Sequence, residues 1–286
     1  MEGRTRGGVT FAAVASAALL AFCALSVAWA SVVRVQNGAF ALLGGTPKIT
    51  SLARSTFSEG NATLVIRQFG PERKILLDYD MDMEKLMHLI VVRDDFAEFM
   101  HLHPAFDATT GAFTQAIKKN PYHRYYVYAD TTPRGIGQQV FRFTLANDEP
   151  LTAFPVSIAL SNASVAVAPY TASLGATTLR ANQAQSLAFN VSRNGAPASD
   201  LRPYLGAAAH AVFINVATLQ YVHLHPTVKG AGAMQMNAGM AMAHAAAGPA
   251  MQLNLPALPA GTYKLWLQFR GGDDRVYTAP FTLLLR

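Results

Sequence analysis

The sequence predicts an all-β chain: two tandem immunoglobulin-like β-sandwich domains from an internal duplication, after one N-terminal hydrophobic helix. Three observations lead there. Short runs rich in β-branched and aromatic residues recur between turn residues, and no long amphipathic helical period interrupts them. A histidine-bearing segment occurs twice with the same internal spacing. The 286 residues suit two domains of about 100–150 residues better than one large one. The expected division is a signal peptide or membrane anchor over 1–34, a linker over 35–59 and a first sandwich over 60–148. A connector over 149–170 then leads to a second sandwich over 171–286, which carries a Met-rich insertion at 230–249.

Taken in order, the N-terminus sets the compartment. Arg4 and Arg6 precede an uncharged, mostly apolar stretch over residues 9–33, and Ala28-Trp29-Ala30 offers an A-x-A cleavage site. Charge, apolar run and small residues in that order form an export signal. The run is also long enough to span a bilayer as a helix, so it is either cleaved or kept as a membrane anchor. Both readings export everything after Arg34, to the periplasm or the outer face of the cytoplasmic membrane.

An internal repeat organises the rest of the chain. A shift of 122 residues lays His88, His101 and His103 onto His210, His223 and His225, each set with the spacing H-x12-H-x-H-P. Further on the shift becomes 138, so that Tyr125 meets Tyr263 and Phe143-Thr144-Leu145 meets Phe281-Thr282-Leu283. Strands are expected at 63–68, 74–79, 86–92, 98–103, 124–129 and 139–145 in the first unit. The second unit offers 186–192, 210–216, 220–225, 262–269 and 276–284. About seven short strands per unit of this size is a sandwich pattern.

Composition narrows the chemistry. Charged residues make up 14% of the chain, and the 23 lysines and arginines form no run, which argues against nucleic acid despite the net charge of +6. The single cysteine, Cys23, lies in the N-terminal apolar stretch, which excludes a disulfide scaffold, a cysteine-ligated zinc site and an iron–sulfur cluster.

The histidines carry the candidate site. Residues i and i+2 of a strand share a face about 6.5–7 Å apart, so His101 sits beside His103 and His223 beside His225. If residues 94–97 form a four-residue hairpin loop, His88 opposes His103 on that same face, and the matching register puts His210 opposite His225. A one-residue slip would turn His88 away. Three converging imidazoles suit zinc or copper. Each such ring needs a polar partner if buried, so three together are a costly way to fill a patch structurally. Nine methionines follow the initiator. Met81, Met83, Met87 and Met100 surround the first histidine set, and Met87 and Met100 suit core positions. Met234, Met236, Met240, Met242 and His244 lie in a Gly/Ala-rich stretch, where thioethers are soft ligands that favour Cu(I).

An export signal, sandwich units, no cysteine after Cys23 and His/Met clusters together resemble bacterial periplasmic copper-handling proteins of the CopC-like and YtkA-like kind. The duplicated His-Leu-His-Pro segments with a Met-rich stretch also resemble a group of uncharacterised exported bacterial proteins, over most of residues 60–286. The resemblance implies copper as cofactor, with zinc as the alternative, and an envelope metal-delivery partner. It transfers no CopC ligand by position, because no ligand histidine stands at a mature N-terminus here. The expected function is copper capture, buffering or delivery through His88, His101, His103, His210, His223 and His225 with the Met-rich stretch. Two alternatives stand beside it: a copper- or zinc-dependent oxidoreductase or hydrolase, with Glu98 and Asp107 as the available acids, and a metal-free structural or adhesion module.

Overall fold

The structure is a computed structural model and describes residues 33–58, 60–147, 158–229 and 247–286. The expected N-terminal helix and residues 234–244 of the Met-rich stretch lie outside the described residues. Among these no helix occurs, and the described fold is all-β. Strands numbered in chain order form four sheets. The first runs β1 (Val33–Phe40), β10 (Gln139–Asn147), β9 (Tyr125–Pro133), β5 (Met87–Arg93) and β6 (Phe99–Leu102), with β4 (Tyr79–Asp80) joined to β9. The second runs β2 (Thr50–Ser58), β3 (Asn61–Phe69), β8 (Ala112–Lys118) and β7 (Ala105–Asp107). The third runs β13 (Thr178–Leu179), β21 (Val276–Leu285), β20 (Gly261–Arg270), β16 (His210–Asn215) and β17 (Tyr221–Leu224). The fourth runs β11 (Ser164–Val167), β12 (Tyr170–Leu174), β14 (Gln185–Arg193), β19 (Ala250–Leu255) and β18 (Thr227–Val228), with β15 (Ala196–Pro197) joined to β14.

Three cores hold these sheets in four layers. Leu64, Ile66 and Phe113 of the second sheet bury against Leu89, Val91, Val127 and Phe143 of the first. Leu187, Phe189 and Leu253 of the fourth sheet bury against Phe213, Leu265 and Phe281 of the third. Between the two pairs lies a central core, where Ile90, Val92, Tyr128 and Val140 of the first sheet meet Val212, Ile214, Tyr221 and Trp266 of the third. Successive strand residues point to opposite faces, so a strand between two cores buries both sets. That explains the unbroken burial of Met87–Val92 in β5 and of all of β16. Trp266 stacks on Phe99 with ring centroids 4.7 Å apart, and Tyr128 stacks on Tyr221 at 5.1 Å.

Several expectations change. Residues 35–59, expected as a linker, carry most of β1 and all of β2, which edge the first and second sheets. Their alternation is hard to read because an edge strand keeps much of its length in water; in β2 Ser51 is buried while Leu52 is exposed. The strand expected at 74–79 reduces to a bridge between Phe69 and Ile75 followed by β4. The connector expected at 149–170 includes β11, which pairs with β12.

Candidate metal centre

The hairpins adopt the register that the histidine spacing requires. In β5–β6 the pairs Leu89–Leu102 and Ile90–His101 continue to place His88 across from His103. In β16–β17 the pairs Ala211–Leu224 and Val212–His223 place His210 across from His225. His88 lies on the Ile90 and Val92 face, and His210 on the Val212 and Ile214 face; these are the two faces that meet in the central core. The two sets therefore merge into one cluster at the end of that core. Ring centroids of His88 and His223 are 5.0 Å apart, those of His101 and His210 5.4 Å, and those of His101 and His223 5.5 Å. His103 flanks one side, 4.8 Å from His101, and His225 the other, 4.6 Å from His223.

Three of the four central rings have a hydrogen-bond partner on their outer face, and the fourth faces an acid. His88 Nε2 donates to the Asp82 carbonyl at 3.0 Å, and His210 Nε2 donates to the Tyr204 carbonyl at 3.0 Å. Both carbonyls belong to two-residue turns closed by paired backbone hydrogen bonds, Asp82 with Lys85 and Tyr204 with Ala207. His101 Nδ1 donates to Gln268 Oε1 at 2.6 Å, while the Gln268 amide donates to Thr278 Oγ1 at 3.0 Å. At the corresponding place His223 Nδ1 faces Asp130 Oδ2 at 3.7 Å. Asp130 and Gln268 sit across from His88 and His210 respectively, so each half supports a ring of the other.

These partners fix tautomers. An imidazole that donates outward from one nitrogen and is neutral presents a lone pair from the other. His88 Nδ1 and His101 Nε2 face each other at 2.8 Å, and with both outer N–H groups engaged both inward atoms are acceptors. Two facing acceptors without a proton repel, and a cation between them removes the conflict. Outward donation to a carbonyl, amide or carboxylate is the usual support of a metal-bound histidine. His210 Nδ1 and His223 Nε2 also face each other, at 3.1 Å, but there only the His210 ring is fixed by an outer hydrogen bond.

Electrostatics keep the rings uncharged. Burial, reinforced by the neighbouring rings, pushes His101 down to about 3, and burial pushes His103 and His225 down to about 4. His88, His210 and His223 are also lowered, first by burial. At neutral pH all six are neutral imidazoles, the form that ligates a metal. Burial raises the Asp130 carboxyl to about 7, against hydrogen bonds from Gln138 and Tyr221. Three buried ring nitrogens in the cluster have no hydrogen-bond partner: His103 Nε2, His223 Nδ1 and His225 Nε2. Ligand atoms of His88, His101 and His103 all lie within 4.8 Å of one another, as do those of His101, His210 and His223, and those of Asp82, His223 and His225.

All six expected histidines thus come together. Met234, Met236, Met240, Met242 and His244 lie outside the described residues. Met87 is buried in the first core and Met100 packs against it, as their alternation with the histidines implies. The two acids considered for hydrolysis are engaged elsewhere. Glu98 binds Arg93 and accepts from Tyr125 at 2.6 Å, and Asp107 holds Thr109 and Thr110 in an exposed turn. Sequence reasoning missed Asp82, Asp130, Tyr204 and Gln268. The signal was available: the shift of 122 pairs Asp82 with Tyr204, and the shift of 138 pairs Asp130 with Gln268.

A family model described as a domain of unknown function (DUF8832) matches residues 165–285. No curated protein matches. Among solved structures, the chain is similar to a glycoside hydrolase family 64 laminaripentaose-producing β-1,3-glucanase from Paenibacillus barengoltzii complexed with laminarihexaose. That match is at 11% identity and a TM-score of 0.25, over 79% of this chain and 50% of the glucanase. A second structure of that enzyme matches at 12% identity with the same TM-score and coverage. The chain thus spans about half the length of these glucanases.

Proposed function

We propose that this is an exported metal-binding protein that captures and buffers copper at the cell envelope and passes it to a delivery partner. The observation that carries the reading is the facing pair His88 Nδ1 and His101 Nε2, both left as lone pairs by their outer hydrogen bonds. Six neutral imidazoles supply nitrogen ligands that suit copper or zinc. The thioethers of Met234, Met236, Met240 and Met242 favour Cu(I) over zinc and supply a route for loading or release. The basic and apolar N-terminus supports export, with the chain either released or anchored by residues 9–33. We read the two halves as copies of one immunoglobulin-like sandwich. The repeated spacing, the matched hairpin registers and the crosswise Asp130 and Gln268 contacts support that reading.

The test is metal content of the purified chain, followed by competition titration with Cu(I) and Cu(II). Copper should be retained, and deletion of 230–249 should weaken Cu(I) retention. His101→Ala combined with His103→Ala should weaken copper binding by more than about 100-fold while the chain stays folded, since outer-sphere changes alone cost 10–100-fold. Unchanged copper affinity in the double variant would sink the histidine-cluster reading.

A further inference from the structure

The two halves of the cluster differ in charge. The side chains that support His101 are neutral: Gln268 accepts from its Nδ1, and the Tyr204 ring centroid lies 6.4 Å from its own, while Asp82 and Lys85 are the charges that act on His88 and Lys85 the one that acts on His103. Around His223 and His225 the corresponding positions are acids. Asp82, the counterpart of Tyr204, brings a carboxylate oxygen within 4.8 Å of ligand atoms of both His223 and His225. Asp130, the counterpart of Gln268, faces His223 Nδ1 at 3.7 Å. The two triads His88/His101/His103 and Asp82/His223/His225 share no ligand. Each contains an unpartnered buried ring nitrogen, His103 Nε2 in one, His223 Nδ1 and His225 Nε2 in the other. The His223 side chain is only 1% exposed, so its free nitrogen is not satisfied by bulk water.

Resting on the metal-binding reading above, we propose that the cluster is two sites of different class. A neutral tri-imidazole site, His88/His101/His103, takes a soft monovalent ion such as Cu(I). A mixed imidazole–carboxylate site, Asp82/His223/His225, takes a divalent first-row ion. A buried cation is tolerated where nearby groups offset its charge, and carboxylate donors suit harder ions than imidazole or thioether donors do. The Asp82 and Asp130 side chains flank His223 and His225, whereas the first triad is oriented by the Asp82 backbone carbonyl and the Gln268 amide and has the Lys85 cation acting on His88 and His103. The asymmetry follows three differences between the halves: Asp82 in place of Tyr204, Asp130 in place of Gln268, and Lys85 in place of Ala207.

The test loads the full chain with one equivalent of Cu(I) under anaerobic reducing conditions and then titrates Co2+, followed by its visible absorption. The wild-type chain should bind one Co2+ on top of the Cu(I). Asp82→Asn, which keeps the shape and the backbone carbonyl and removes the charge, should weaken Co2+ at least about tenfold and Cu(I) by clearly less, while Asp82→Glu restores part of the Co2+ loss. His103→Ala should do the reverse, weakening Cu(I) and sparing Co2+. Thermal unfolding of each metal-free variant checks that the fold is intact. If Asp82→Asn and His103→Ala weaken both ions equally, or Asp82→Asn weakens neither, the two-site proposal is wrong while the cluster reading stands. If the wild-type chain binds neither Cu(I) nor Co2+, both readings fall together.

Discussion

His101 and Gln268 stand 167 residues apart in the chain and meet across the central layer. The amide fixes the ring: with Oε1 accepting from Nδ1, the proton stays on the outer nitrogen and the inner one remains free for a metal. Gln268→Leu removes that acceptor, and the proton then moves to Nε2, where it bonds to His88 Nδ1 at 2.8 Å and closes the site. Copper affinity should fall about 10–100-fold, as for other outer-sphere changes, and stability by about 1–3 kcal/mol, because a nearly buried leucine leaves His101 and Thr278 without their partner. Gln268→Glu keeps an acceptor and should retain tight binding. Competition titration of the two variants separates this from simple packing, since under a packing role leucine, of similar volume, would bind copper as tightly as glutamate.

The turns that carry the carbonyl acceptors are the elements most clearly shaped for the site. Met83 and Glu84 have φ of 42° and 67°, and Leu205 and Gly206 have 47° and 70°. Two successive positive φ values are the signature of the tight hairpin turn that normally uses Asn-Gly. A left-handed conformation costs a non-glycine residue about 1–2 kcal/mol, and the first turn carries two such residues where the second already has one glycine. Glu84→Gly should therefore stabilise the fold by about 0.5–1 kcal/mol once the added freedom of the unfolded chain is counted. A thermal melt should shift upward by about 1–4 °C; a downward shift would mean that the Glu84 side chain makes a contact worth more than the strain. These turns also mark the limit of what the sequence discloses. Hairpin register was legible because the histidines themselves alternate with core residues at period two, and the repeat supplied a second reading of the same spacing. The carbonyls of Asp82 and Tyr204 carry no side-chain signature, so the acceptors that orient His88 and His210 were legible only as positions paired by the shift of 122, not as acceptors. Strands β1 and β2 were hidden for another reason: Leu52 is 53% exposed and Ser51 5%, the reverse of the hydropathy pattern that signals a strand.

Across the whole molecule, the histidine cluster joins two sandwiches through a core they share, so its protonation state acts on the central layer. His88 is 1% exposed and His210 is buried completely, and both are neutral in the fold. In the unfolded chain a histidine takes up a proton below about 6.5. With folded values pushed below that, to about 3 for His101, the unfolded state binds more protons over the interval between. Stability is then complete above about 6.5 and is lost as pH falls through this range, at about 1.4 kcal/mol per pH unit for each deeply buried ring. Asp130 works in the opposite sense. Its folded carboxyl is raised to about 7, so the fold holds a proton that the unfolded chain releases, and acid favours the native state through that group. One carboxyl stands against four deeply buried rings, His88, His101, His210 and His223, and the rings win. Urea unfolding of the metal-free chain should show a midpoint that falls steadily from about pH 7 to about pH 5, followed by Trp266 fluorescence because that ring stacks on Phe99 across the central core. Bound copper competes with protons for the same lone pairs, so the loaded chain should keep its pH 7 midpoint further into acid. A midpoint that stays level over that range without metal would mean that the rings already carry protons in the fold, and the lone-pair geometry on which copper binding rests would then be absent.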